Sequence, residues 1–444
     1  MKEDEYMKPL FHFTPPQNWM NDPNGLVYYK GYYHIFYQHF PYECHWGTMH
    51  WGHAITKDFV SYTHLPIALY PSKIYDQNGC FSGSSIIINN QLYLYYTAIQ
   101  YKSINENNIH LRNQEDDTHA SQALLISEDG FTFQNNKKIK IITEYPQSRD
   151  PKAWITKNNK INLAIGSHNN GIGCVLFYQS EDGIHFKHIN TYEDATIGDM
   201  WECPDILQLN HQYFLMICPE NITQPPLPNC NSIIMPIDFD EETCTITNAQ
   251  AYQFLDYGLD FYAPQSFKDE NNQTCLLAWL RMRQAPENEN YVGMLCMPRV
   301  LSYQNGHIYQ SIYPTVDQQF TIPHAPSLDQ PFKLSISLDN NQSLNLGNFI
   351  ITYQDDTLVL DRTQVSIHHK KVSNISISPK LNHQCDLTIY YDYNIFEIFI
   401  NNGQYVMSQI VYHINQHILQ LPHSNYTCFT AKGKKGVKIY QKDI

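Results

Sequence analysis

Residues 21–38, NDPNGLVYYKGYYHIFYQ, set the pattern on which the fold is read: a small polar or acidic constellation, a proline, and two β-rich runs around a Lys30-Gly31 turn. Four more copies follow. Phe81-Ser82-Gly83 precedes SSIIINNQLYLYYTA, Arg149-Asp150-Pro151 precedes KAWITKNNKINLAIG, Glu202-Cys203-Pro204 precedes DILQLNHQYFLMIC, and Tyr262-Ala263-Pro264 precedes QSFKDENNQTCLLAW. Their turn pairs, Lys30-Gly31, Asn89-Asn90, Asn158-Asn159, Asn210-His211 and Asn271-Asn272, mark hairpins. They recur every 52 to 69 residues, a spacing expected of propeller blades rather than of a helical solenoid. The chain is therefore read as all-β, beginning with a five-bladed propeller.

In a propeller the first strand of each blade lines a central channel, so the five constellations meet in a ring at one mouth. Asp22, Asp150 and Glu202 fall on that ring. The return strands climb to the same rim and bring Gln38 and Trp279 with them. A pocket that is acidic, aromatic and rich in hydrogen-bonding groups suits a neutral polyhydroxyl ligand.

With 444 residues the chain is long enough for two domains. A net charge of -14 disfavours nucleic acid or an anionic membrane as partner, since either needs a concentrated basic face. The basic cluster Lys432 to Lys438 reads as a solvated strand edge. Eleven cysteines without a CxxC pair or metal-ligand spacing indicate neither a disulfide framework nor a metal site, and fit reduced thiols in a cytoplasmic protein. The start, MKEDEYMKPLFHF, lacks an apolar stretch, and no run of about 18 apolar residues occurs. Asn-x-Ser/Thr triplets at Asn221, Asn272, Asn341, Asn374 and Asn425 are read as chance in an Asn-rich chain.

The blade pattern ends near Tyr313-Pro314, which assigns 1–315 to the propeller. Pro323, Pro326 and Pro331 mark 316–331 as a linker. From 332 to 444, short strands such as KLSISL, NFIITYQ, TLVLDR, VSNISIS, CDLTIYYD, NIFEIFINNG, YVMSQIVYH and GVKIYQ predict a β-sandwich.

Cleavage of a glycosidic bond requires two carboxyl groups, one protonated to assist the leaving oxygen and one ionised to attack or to activate water. In WMNDPNG, Asn21, Asn24 and backbone amides are expected to keep Asp22 ionised. Glu202, between Trp201 and Cys203-Pro204, is expected in a semi-apolar position that raises its pKa, as a general acid requires. Asp150, paired with Arg149, is expected to stay ionised and to hold hydroxyls or stabilise positive charge. Singly, each motif has an ordinary structural meaning: a turn, a solvated Glu, an ion pair. Their common register in a five-fold repeat has no such explanation. Trp51 reads as blade core, while Trp46 and Trp279 sit at rim positions.

WMNDPNG, the FYQ ending at Gln38, WGTMHWGHA, FSGS, RDP, the Glu-Cys pair, DFYAPQ and DYNIFEIFINNG together resemble glycoside hydrolase family 32, the invertases, sucrose-6-phosphate hydrolases, levanases and inulinases. The resemblance spans essentially the whole chain and implies a propeller followed by a sandwich. It further implies retaining cleavage of β-fructofuranosides, with Asp22 as nucleophile, Glu202 as acid/base and Asp150 as transition-state stabiliser. Trp19, Met20, Asn21, Gln38, Trp46, Phe81, Ser82, Arg149 and Trp279 would line the fructosyl subsite. Two positions depart from the family: Asn394 stands where Ser is usual, and LRMRQ after Trp279 carries Arg281 and Arg283 where small or uncharged residues are commoner. These arginines read either as solvated charges or as a site for an anionic group, for which the guanidinium fork is suited. The expected protein is a β-fructofuranosidase acting on sucrose or sucrose 6-phosphate without metal or cofactor. An exo-acting hydrolase of inulin or levan chains and a non-catalytic carbohydrate-binding propeller are the alternatives.

Overall fold

The computed structural model describes residues 8–113, 118–142, 147–222, 226–367, 373–431 and 438–439. Each quoted repeat forms the two inner strands of a blade: Asn18–Tyr29 with Tyr32–Phe40, Gly79–Ile88 with Gln91–Tyr101, Arg149–Ile155 with Ile161–Asn169, Met200–Leu209 with Gln212–Glu220, and Phe261–Lys268 with Thr274–Leu280. Two further antiparallel strands complete every blade, giving five sheets. The turn chemistry follows from the residues. Lys30-Gly31, Asn89-Asn90 and Asn210-His211 all have positive φ, as type I′ hairpins require.

The inner strands pack side by side around the channel, and large side chains fill the wedges between blades. Trp51 is fully buried between blades one and two, and Tyr33 and Phe59, 4.4 Å apart, pack with Phe267 and Tyr313 between blades one and five. Below the mouth the channel is plugged by Lys152, whose ammonium lies 2.8 Å from Asp205, and by Gln265, whose amide bridges Gly83 and Leu26. The ring closes where Tyr291–Val292 runs parallel to Asn18-Trp19.

The second domain is a sandwich of a six-stranded and a five-stranded sheet. Strands such as Phe332–Ser337 alternate buried and part-exposed residues, whereas Ile395–Ile400 is buried on both faces. Two sequence expectations change here. Within 316–331, read as a linker, Phe320–Pro323 is a strand that pairs with Tyr426–Ala431; Pro323 suits an edge strand, which can spare a donor. The GVKIYQ stretch lies mostly outside the described residues, as does the basic cluster that overlaps it. Its described part, Lys438–Ile439, joins the outer strand of blade one and not the sandwich. Among the described residues no helix is long and apolar enough to cross a membrane.

Candidate active site

Every inner strand breaks register at its constellation: between Met20 and Pro23, Phe81 and Gly83, Arg149 and Lys152, Glu202 and Asp205, and Tyr262 and Gln265. A bulge inserts an unpaired residue and re-aims the side chains beside it. Asp150, Cys203 and Ala263 adopt φ of 63°, 48° and 50° at these bulges, conformations that non-glycine residues rarely hold. The bulges direct Asp22, Ser82, Asp150, Glu202 and Tyr262 into one cavity of about 650 Å³ at the channel mouth.

Asp22 accepts hydrogen bonds from Ser82 Oγ at 2.5 Å and Asn21 Nδ2 at 3.0 Å, and Asn21 is itself held by Trp19 Nε1 at 2.8 Å. Burial nevertheless pushes the Asp22 carboxyl up to about 6; the two donors oppose the rise and the charge of Glu202 adds to it. Asn24 does not contribute. It is buried against Gln38, whose Nε2 it accepts at 2.8 Å when its amide is assigned to satisfy both groups. Asp150 receives Cys203 N at 3.0 Å and the Cys203 thiol at 3.5 Å, and its carboxyl too is pushed upward, first by burial and then by Glu202.

The expected Arg149–Asp150 pair is not formed as a hydrogen bond. Arg149 Nε donates to Glu202 Oε1 at 2.8 Å and its Nη2 to Glu220 Oε1 at 2.9 Å. Tyr262 donates its hydroxyl to the other oxygen, Glu202 Oε2, at 2.5 Å. Glu202 is thus gripped by a cation and a phenol, in place of the expected semi-apolar surroundings. The arrangement offers two separately held carboxyl groups, Asp22 on blade one and Glu202 on blade four, with a third between them.

Against known proteins, the family model "Glycosyl hydrolases family 32 N-terminal domain" matches residues 12–312, and "Glycosyl hydrolases family 32 C terminal" matches 304–440. The chain belongs to glycosyl hydrolase family 32. It is 32% identical over 437 residues to a sucrose-6-phosphate hydrolase of Escherichia coli, covering 91% of this chain and 89% of that one. Its fold superimposes on a sucrose-6-phosphate hydrolase of Lactobacillus gasseri with a TM-score of 0.83 at 20% identity, over 97% and 94% of the two chains. A β-fructofuranosidase of Bombyx mori gives 0.79 at 23% identity, over 99% and 96%. The protein is a glycoside hydrolase acting on β-fructofuranosyl bonds.

Of the side chains expected to line the family 32 subsite, Asn21, Gln38, Trp46, Phe81, Ser82, Arg149 and Trp279 border the cavity. Trp46 and Phe81 meet edge to face at 5.6 Å. Met20 is fully buried in the propeller core, because it precedes the bulge and points away from the channel. Trp19 lies behind the wall, edge-on to Trp279 at 5.8 Å and bonded to Asn21. Neither Arg281 nor Arg283 lines the cavity. Their strand ends at Leu280, which breaks the alternation that would have carried them there.

Tyr262 occupied the fifth copy of the repeat, so a signal for it existed: the same register that marked the carboxylates. Glu220, on the return strand opposite Met200, and Arg112, on the hairpin Ile104–Asn105 and Asn108–Arg112 inserted in blade two, also border the cavity. No repeat position pointed to either.

Proposed function

We propose that this hydrolase cleaves the terminal β-D-fructofuranosyl bond of sucrose or sucrose 6-phosphate by a retaining double displacement. The observation that carries the reading is the pairing of Asp22 with Glu202 across one cavity, close enough that the charge of Glu202 bears on the Asp22 carboxyl. Asp22 Oδ attacks the anomeric carbon while Glu202 gives its proton to the glycosidic oxygen. The glucosyl unit leaves. Glu202, now ionised, takes a proton from water, which displaces Asp22 and releases fructose. Asp150 holds ring hydroxyls and opposes the positive charge that develops at the anomeric carbon. The family relatives named for sucrose 6-phosphate support the choice of substrate.

Glucose release from sucrose is the first test, with sucrose 6-phosphate, kestose and inulin compared by kcat/KM; a preference for inulin would replace sucrose with fructan. Asp22→Asn is expected to lower kcat by roughly 10⁴-fold or more in a folded protein. With methanol as acceptor the first product should be the β-methyl fructoside, and the α-anomer would exclude the double displacement. Because Asp22 must be ionised to attack, kcat/KM should rise with pH through about 6.

A further inference from the structure

We infer that Arg281 is a positioning residue for Glu202, acting through Tyr262. After the strand Thr274–Leu280 ends, the Arg281 amide donates to Asp260 O at 2.8 Å. This turns its guanidinium over the Tyr262 ring, 4.8 Å from the ring centre. Two backbone carbonyls fix it there: Nη1 donates to Cys230 O and Nη2 to Leu259 O, each at 3.3 Å. The side chain is half-buried, two of its donors go to carbonyls outside the cavity wall, and it does not border the cavity, which leaves it badly placed for a substrate phosphate.

A cation over an aromatic face is held by the ring quadrupole and draws density from the ring. The phenol beneath it then becomes a stronger donor, and that phenol is the one bonded to Glu202 Oε2. The groups around Glu202 make the added charge matter. Asp22 on blade one, Asp150 on blade three and Glu220 on its own blade are carboxyls, with the thiols of Cys203, Cys218 and Cys230 beside them. Arg149 is the cation in direct contact with Glu202. Arg281 supplies a second positive charge one ring away, which favours the carboxylate that Glu202 must become when it gives up its proton. The inference rests on the acid/base role proposed above for Glu202.

The test compares Arg281→Met, which can still cover the ring, with Arg281→Lys, which keeps the charge, and with Tyr262→Phe, which removes the hydroxyl. Arg281→Met should lower kcat on sucrose by about 5- to 10-fold with KM within about twofold, and move the alkaline limb of kcat/KM upward by about 0.7 to 1 pH unit. An activated fructosyl donor such as fructosyl fluoride, which needs little protonation, should lose less than about twofold. Tyr262→Phe should move the limb the same way, and Arg281→Lys should recover most of the loss. An unmoved limb with equal losses on both donors would overturn the inference in favour of a packing role. A loss confined to sucrose 6-phosphate would overturn it in favour of a phosphate contact. Glu202→Gln, run in parallel, separates the two levels: equal losses on both donors there would remove the acid role itself, whereas selective loss there and none in Arg281→Met would remove this inference alone.

Discussion

Burial and hydrogen bonding pull the Asp22 carboxyl in opposite directions, and burial prevails. Its folded-state pKa of about 6 exceeds the unfolded value, so the folded protein holds that proton more tightly. Stability contributed by the protonated group is present below pH ~4 and is lost as pH rises through about 6. Asp22→Asn should therefore unfold at a higher midpoint than wild type at pH 7.5, by an amount of order 1–2 kcal/mol given partial solvent access. The two should converge near pH 4. Unfolding curves that keep the same offset at both pH values would contradict this origin of the difference. Arg149 carries the complementary lesson. At the bulge Asp150 turns to accept from Cys203 N, and the Arg149 guanidinium is taken by two glutamates, so the sequential pair forms no hydrogen bond. Arg149 instead reaches Glu202 of the next blade, a partner 53 residues away that only the blade repeat could have suggested.

Hairpins, their order and the acidic ring were legible because turn residues and β-rich runs are local signals repeated five times. The bulges were not, because an extra residue in a strand changes pairing without changing composition; only the recurrent X-Pro step hints at them. They decide which residues enter the cavity, and so they account for the misplacement of Met20. Blade-to-blade spacing was equally hidden. At Gly166, on the second strand of blade three, a Cβ would stand 2.3 Å from Trp201 O and 3.3 Å from Glu202 Cα. A Cβ on Gly173 would come as close to the Trp201 ring, at 2.2 Å. Backbone cannot swing aside as a flexible side chain can. Gly166→Ala should cost about 1–3 kcal/mol of stability and, by moving the strand that carries Glu202, lower kcat by up to ~10²-fold. Wild-type midpoint and turnover in that variant would show that blade four shifts freely against blade three.

DYNIFEIFINNG was legible as a family motif without an assigned task, and its task emerges only across the domain boundary. Asp392 accepts from the amides of Leu10, Phe11 and His12 and from His12 Nδ1 at 2.9 Å, while Glu397 accepts from His12 Nε2 at 2.9 Å and from Arg299 of blade five at 2.6 Å. Arg362 of the sandwich pairs with Asp260, and Asp256 receives Ser408 N at 2.8 Å. Asp260 and its neighbour Leu259 present the carbonyls that hold Arg281, so the sandwich braces the segment behind Tyr262. Burial alone would strip His12 of its proton, but Asp392 and Glu397 hold its pKa up at about 9. Glu397 is itself held down to about 2: burial opposes this, and Arg299 and His12 outweigh it. The folded pKa of His12 lies above the unfolded 6.5, so its contribution is fully present below pH 6.5 and is lost as pH rises through about 9. Wild-type protein should thus lose of order 2–3 kcal/mol between pH 6.5 and 9.5 from this group. His12→Gln should be less stable at pH 6.5 and show a flatter decline over the same window. Urea midpoints at pH 6.5, 8 and 9.5 measure both slopes, and parallel declines in the two proteins would place the alkaline sensitivity elsewhere than at this junction.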